Sequence, residues 1–299
     1  MRLLTILLSV LATVAAAAPE PPTRNPAAAR VVAMGDWHGD LDAARTGLRL
    51  AGAVDDQDRW IGGDLVVVQT GDQLDRGDQE QAILDLLDRL RDEAAAAGGA
   101  VLALLGNHEL MNVAGDFRYV TAGGWADFAD AGIPMPAGAA DLDTLPAEHR
   151  PRAAAFRPGG PYARLLAEQN VAVVVGRTVF VHGGLLPEHL ALGLERLNAD
   201  TRAWLLGDGP EPPIYQERDD PVWARQYSDQ PDSTDCALLD QVLAALDCDR
   251  MVVGHTVQDG GMAPHCDGRV WCIDSGASAY YGGPVQVLEI TADGVRVLW

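Results

Sequence analysis

Five short polar motifs, each closing an apolar run, spread four histidines, several aspartates and one asparagine along the chain. They are GDWHGD (35–40), GDQLDRGD (71–78), GNHE (106–109), VHGG (181–184) and GHT (254–256). Asp36 and His38 stand two residues apart, so in an extended loop both side chains project to one side and can grip one cation. Asp72 supplies a carboxylate able to bridge two ions. Asn107 offers an oxygen ligand, and His182 and His255 offer imidazole nitrogens for a second ion. Oxygen and nitrogen donors without thiolate suit manganese, iron or zinc in pairs. Two divalent cations side by side can activate water, which makes this the inventory of a hydrolase. Asp75 and Arg76 lie three and four residues beyond Asp72, and His108 lies beside Asn107.

Singly, each motif has an ordinary structural explanation. Asp40 could merely cap the helix that follows it, and a histidine before Gly-Gly, as at His182, is commonly structural. The ordered recurrence of five motifs after five apolar runs is what points to one site. His149, His189 and His265 have no such context and are expected at the surface.

The elements that must position these residues can be read from the apolar runs. Seven runs without alternation read as buried strands: Arg30–Met34, Leu65–Thr70, Val101–Leu105, Val171–Val175, Thr178–Val181, Arg250–Val253 and Val270–Ile273. Helical spacing falls over Asp40–Ala51, Gln79–Ala97, Tyr162–Gln169 and Cys236–Leu246. Gly176-Arg177 makes a tight turn, and Thr291–Gly294 turns a final hairpin. The predicted class is α/β with mixed sheets. Each motif follows directly after a strand, where the carboxyl ends of strands build the ligand crevice of α/β proteins. Residues 30–299 read as one domain, with a Gly-, Pro- and Ala-rich insertion at about 114–161 placed over that crevice.

Composition narrows the chemistry. The chain has 299 residues, a net charge of −21 and no lysine, so every basic residue is arginine. Schiff-base lysines, pyridoxal phosphate attachment and the P-loop lysine are excluded. The acidity argues against nucleic acid as a partner, because most of the surface would repel a phosphate backbone. It leaves room for a small phosphoester drawn into a metal pocket. Residues 1–18 read as a signal peptide: Arg2, the apolar run Leu3–Val14, and small residues at Ala15–Ala18. Residues 19–29 read as a flexible Pro/Ala-rich leader. The expected location is periplasmic or secreted, with no stable membrane insertion after cleavage. Export permits disulfides among Cys236, Cys248, Cys266 and Cys272. An intact helix between Cys236 and Cys248 would hold them roughly 18 Å apart, whereas a bridge needs Cα atoms within about 7 Å. Two connectivities remain, beside the reading in which two thiols stay free and buried.

The motif series resembles the calcineurin-type metallophosphoesterases, in the phosphoprotein phosphatase branch. GDQLDRGD, GNHELMNVAGDFRYV (106–120), PVWARQY (221–227) and IDSGASAYYGG (273–283) are most similar to the Shewanella-like protein phosphatases. The likeness runs from about Val31 to Gly283. It implies a sandwich of two mixed β-sheets flanked by helices. It also implies that Asp36, His38 and Asp72 hold one metal and that Asp72, Asn107, His182 and His255 hold the other. By the same likeness, His108 is the general acid, oriented by Asp75. Arg76 and Arg225 bind phosphate, and Tyr280 or Tyr281 lies over the site. A hydroxide shared by the two cations would attack phosphorus in line. The insertion is longer than in eukaryotic members, so their protein-substrate grooves do not carry over. Three readings remain open. The chain is a phosphatase of phosphoprotein or phosphopeptide, tyrosine included, or a hydrolase of nucleotides or dinucleoside polyphosphates, or an inactive metal-binding scaffold.

Overall fold

The computed structural model describes residues 20–136 and 142–299. The expected signal peptide lies outside the described residues. In chain order the elements begin with β1 (Arg24–Asn25), β2 (Arg30–Met34), α1 (Leu41–Leu50), β3 (Val66–Gln69), α2 (Glu80–Ala97) and β4 (Ala100–Ala103). Next come α3 (Asn107–Val113), α4 (Ala122–Asp127), α5 (Arg150–Phe156) and α6 (Pro161–Leu166). The remainder is β5 (Ala172–Val175), β6 (Thr178–Val181), α7 (Leu194–Leu206), α8 (Ser233–Leu246), β7 (Arg250–Val253), β8 (Ala263–His265), β9 (Val270–Cys272), β10 (Val287–Thr291) and β11 (Gly294–Leu298).

Two mixed sheets result, one ordered β11-β10-β2-β3-β4 and the other β1-β5-β6-β7-β9-β8. They pack face to face through Val31, Ala33, Val68, Leu288 and Ile290 on one side and Val173, Val175, Phe180 and Val252 on the other. The alternate residues point outward into helices. Val32, Met34 and Val67 meet Leu48 of α1 and Ile83, Leu87 and Leu90 of α2. Ala172, Val174, Val179 and Val181 share a second core with Leu239, Val242, Leu243 and Leu246 of α8. Both faces of these strands are therefore covered, which is why their sequences run apolar without alternation. Each fully buried Val, Leu or Phe contributes roughly 1.5–3 kcal/mol.

The leader is not wholly free. Arg24–Asn25 adds a parallel strand beside β5, with Val174 N–H donating to Thr23 O at 2.8 Å and Gly176 N–H to Asn25 O at 3.1 Å. It covers what would otherwise be an open sheet edge. Helix α7 was hidden because its inner face is partly polar. Asn198 accepts the N–H of Val171 at 2.9 Å, and Arg202 donates to Ala167 O at 2.9 Å and to Asn170 Oδ1 at 2.7 Å. Helix α8 does separate Cys236 from Cys248. Cys236 pairs with Cys266, Cα to Cα 5.4 Å, whereas Cys248 and Cys272 are free and buried. Among the described residues, no helix is long and apolar enough to cross a membrane.

Candidate active site

Strands β2, β3 and β4 run parallel in one sheet, and β6, β7 and β9 run parallel in the other. The loops leaving their carboxyl ends meet. Asp36 and His38 follow β2, Asp72, Asp75 and Arg76 follow β3, and Asn107 and His108 open α3 after β4. From the second sheet come His182 after β6 and His255 after β7. Backbone strain concentrates here. His38, Asp72, Asp75, Arg76 and His255 all have φ between +45° and +67°, a region non-glycine residues rarely occupy. The loops approach so closely that a Cβ on Gly106 would collide with the Asp72 carboxylate.

Asp72 lies at the centre. Its Oδ1 is 3.2 Å from His182 Nε2, and its Oδ2 is 3.7 Å from His38 Nε2 and 3.8 Å from His108 Nε2. His38, Asp72 and His108 each bring a ligand atom within 4.8 Å of the others, and so do Asp72, His182 and His255. The first triad contains His108 where the sequence pattern suggested Asp36. Asp36 lies 4.0 Å from both His38 Nε2 and His182 Nδ1, held by the His255 N–H at 3.2 Å. Asn107 Oδ1 is 2.9 Å from His182 Nε2.

Backbone carbonyls set the histidine orientations. His38 Nδ1 meets Leu74 O at 3.1 Å and His182 Nδ1 meets Thr70 O at 2.9 Å, which turns each Nε2 toward the carboxylates. Burial lowers the pKa of His38 to about 3, with help from His108 and Arg76, although Asp72 opposes the shift. Burial, then His182 and Arg225, hold His255 well below the usual range. Both rings are therefore neutral, the form that ligates metal. Burial disfavours the Asp72 carboxylate, but His182 and His108 outweigh it and keep its pKa low. Burial, Asp274 and Asp72 push Asp36 well above the usual range.

These features fit divalent cations. Three carboxylates, Asp36, Asp72 and Asp274, are buried together, and such a group is costly without positive charge. The buried His255 Nε2 has no hydrogen-bond partner. Asp36, His38, Asp72, Asn107, His182 and His255 are the residues that could hold the ions.

Beside this centre, His108 Nδ1 donates to Asp75 Oδ2 at 2.6 Å. Burial opposes charge on His108, but Asp72 and the Asp75 hydrogen bond prevail and raise its pKa. The Arg76 guanidinium is 3.3 Å from His108 Nε2, donates to the Tyr281 hydroxyl, and lies 4.8–5.4 Å from the rings of Tyr119, Tyr280 and Tyr281. Both tyrosines of the 280–281 pair thus face Arg76. Arg225 is anchored on the GHT loop, donating to His255 O at 3.2 Å and Thr256 Oγ1 at 2.9 Å.

A model of the calcineurin-like phosphoesterases matches residues 29–259, most of the chain. The protein belongs to the calcineurin-like phosphoesterase family. It is 42% identical over 301 residues to Shewanella-like protein phosphatase 2 of Arabidopsis thaliana, covering 90% of this chain and 77% of the plant protein. Shewanella-like protein phosphatase 1 of Plasmodium berghei is 29% identical, over 85% of this chain and 69% of its own. A solved structure of a cold-active protein tyrosine phosphatase superposes with a TM-score of 0.76 at 25% identity, covering 93% of this chain and 78% of that one. A serine/threonine phosphatase from Saccharomyces cerevisiae shares the fold, with a TM-score of 0.60 at 14% identity. The phosphoesterase is thus a metal-dependent hydrolase of phosphorylated substrates, on a sandwich of two mixed sheets flanked by helices.

Two buried carboxylates of the phosphoesterase site went unassigned in the motif reading. Glu109 accepts the N–H groups of Asp72, Gln73, Leu74 and Gly106 at 2.7–3.2 Å, clamping the β3 loop against the start of α3. Asp274 follows β9 and accepts from Gly276 N at 2.9 Å. Its position directly after an apolar run was the available signal. His189, expected at the surface, is buried instead, where its Nδ1 accepts the Leu186 N–H at 3.0 Å. His149 stacks on Trp125 at 3.8 Å.

Proposed function

We propose that the protein is a dinuclear phosphomonoesterase that dephosphorylates phosphoprotein or phosphopeptide, phosphotyrosine included. The observation that carries this reading is the sharing of Asp72 between two groups of donors, one on each sheet. Cations bound there supply Lewis acidity toward a phosphoryl oxygen and lower the pKa of water; manganese, iron and zinc all suit the donors. Asp36, His38 and Asp72 hold one ion, and Asp72, Asn107, His182 and His255 the other. His108 is reserved from this set because a carboxylate, Asp75, holds its Nδ1, whereas backbone carbonyls hold those of His38 and His182. It acts as the general acid, giving a proton from Nε2 to the leaving oxygen. Asp75 fixes the tautomer that makes this possible. Arg76 and Arg225 grip equatorial phosphate oxygens, for which the guanidinium fork is suited. The exposed rings of Tyr119, Tyr280 and Tyr281 beside Arg76 favour an aromatic leaving group, in line with the tyrosine phosphatase named among the structural relatives.

The Cys236–Cys266 disulfide supports the reading of an exported protein. Intact-mass analysis of protein recovered from an export-competent host should show loss of about the first eighteen residues. Retention of Met1 would refute cleavage and favour an uncleaved anchor.

The deciding assay strips the mature protein of metal and adds back manganese, iron or zinc, with an Asp72→Asn control. Substrates are phosphotyrosine and phosphoserine peptides and a dinucleoside polyphosphate. Metal-restored peptide hydrolysis absent from the control is expected. Preference for the dinucleotide would move the substrate to nucleotides. No turnover on any substrate, with metal bound, would leave the scaffold reading.

A further inference from the structure

Arg152 is fully buried, on α5 within the insertion, although its charge has no place in a core. Its guanidinium lies over the rings of Phe128 and Phe156 at 5.1 and 5.2 Å. Nε donates to Asn112 Oδ1 at 3.0 Å, Nη1 to Gly124 O at 3.0 Å and to Glu80 Oε2, and Nη2 to Asp75 Oδ1 at 3.2 Å. Asn112 Nδ2 donates to the same Asp75 Oδ1 at 3.0 Å. Glu80 Oε1 in turn accepts the Asp75 N–H at 2.6 Å. Asp75 therefore spends one oxygen on His108 and the other on two donors, one of them cationic. Its backbone, at φ +65°, is fastened by a third residue.

We infer that Arg152 and Asn112 form a positioning clamp through which the insertion orients the Asp75–His108 pair. This rests on the reading of His108 as general acid. With Oδ1 fixed, the Asp75 carboxylate cannot rotate, and Oδ2 stays aimed at His108 Nδ1. The imidazole is thereby held with its other nitrogen toward the leaving group. Arginine is required because one planar fork serves Asp75, Glu80, Asn112 and Gly124 together, and an ammonium cannot match that spread. Neither clamp residue touches the substrate. Their effect should follow the acid step alone: a good leaving group needs no proton and should not register their loss.

The test compares wild type with Arg152→Gln, Arg152→Lys, Asn112→Ala and His108→Asn, all metal-loaded, on nitrophenyl phosphate and on an alkyl phosphate. Metal content and thermal unfolding are recorded for each. Arg152→Gln and Asn112→Ala should lose about 10- to 100-fold on the alkyl ester, the usual scale for groups that orient an active-site residue. On the nitrophenyl ester they should lose roughly threefold or less, since the acid term is small there. Arg152→Lys should recover only part of the loss. Placed in the His108→Asn background, Asn112→Ala should add little, because effects of residues that act as a unit are not additive. Equal losses on both esters, or full additivity with His108→Asn, would overturn the clamp and leave these residues as packing. If Arg152 variants do not fold, Asn112→Ala alone decides by the same comparison. If His108→Asn itself ignores the leaving group, it is the general-acid reading that fails.

Discussion

The site's two halves are held differently. On the five-stranded sheet, the loops bearing His38, Asp72, Asp75 and His108 are bound to one another through Glu109, Glu80, Asn112 and the Arg152 fork, with most polar atoms satisfied. On the six-stranded sheet, His182 leans on a carbonyl of the opposite sheet, Thr70 O, and the buried Nε2 of His255 has no partner. The first half is a rigid network that can hold and deliver a proton. The second is a set of donors still owed a charge, which suits a half whose role is to ligate. Asp72 belongs to both, one oxygen facing His182 and the other facing His38 and His108. Damage should therefore stay within one half unless it strikes Asp72 or Asn107, whose Oδ1 reaches His182 across the sheets.

The largest effect is expected from Asp72→Asn. Bound metal measured by mass spectrometry should fall for both ions, and activity should fall by roughly a thousandfold or more, in keeping with the several kcal/mol that metal activation supplies. His255→Ala should remove one ion and leave the other. Loss of both ions from His255→Ala would show that the halves are not separable. Next comes His108→Asn, which should retain both ions and lose about 10²- to 10⁴-fold on alkyl phosphates. Metal loss in that variant would place His108 in the ligand set with His38 and Asp72, as their mutual distances allow.

The sequence exposed the chemical side chains at the strand ends more completely than the network that holds them in place. Strand ends followed by GDWHGD, GDQLDRGD and GNHE can be read because the chemistry needs fixed residue types at fixed offsets. The two faces of each buried strand leave a continuous Val-rich run, so β2, β5, β6 and β7 were legible too. The clamp was not. Arg152 lies 77 residues beyond Asp75, in a Gly-, Pro- and Ala-rich stretch where nothing marks one arginine from its neighbours. Helix α7 escaped for a related reason: Asn198, Thr201 and Arg202 share its inner face with Leu194, Leu197, Trp204 and Leu205, and the polar members interrupt the apolar period. Strand β1 is two residues long and derives its order from β5, not from its own composition. In each case the missing information was a partner distant in sequence.

A smaller effect should separate the halves by stability. Cys236–Cys266 ties the start of α8 to the turn before β9, wholly on the six-stranded side. Cys236→Ser should cost about 3.6 kcal/mol by the chain-entropy account of a loop whose ends are 30 residues apart. The scan should show a lower unfolding temperature while the kcat of folded protein on nitrophenyl phosphate is unchanged. A fall in kcat at full folding would mean that α8 strain reaches His255.

The smallest effect concerns a link between the halves that does not pass through metal. Tyr281 lies in the segment between β9 of one sheet and β10 of the other, and its hydroxyl meets the Arg76 guanidinium on the β3 loop. Tyr281→Phe keeps the ring against Arg76 and removes only the hydroxyl. The residue is 38% exposed, so water replaces much of what is lost, and about 1 kcal/mol is the expected cost, near the middle of the usual range for one hydrogen bond. That is roughly a fivefold rise in KM for a phosphotyrosine peptide, with kcat held because His108 and Asp75 are untouched. A fall in kcat at constant KM would instead put the tyrosine hydroxyl in the transition state. An unchanged KM would assign the holding of Arg76 to Tyr119 and the backbone contact of Arg76 N–H with Tyr119 O at 3.1 Å, and the stretch that carries Tyr119 and Arg152 would then govern both the proton donor and the phosphate grip.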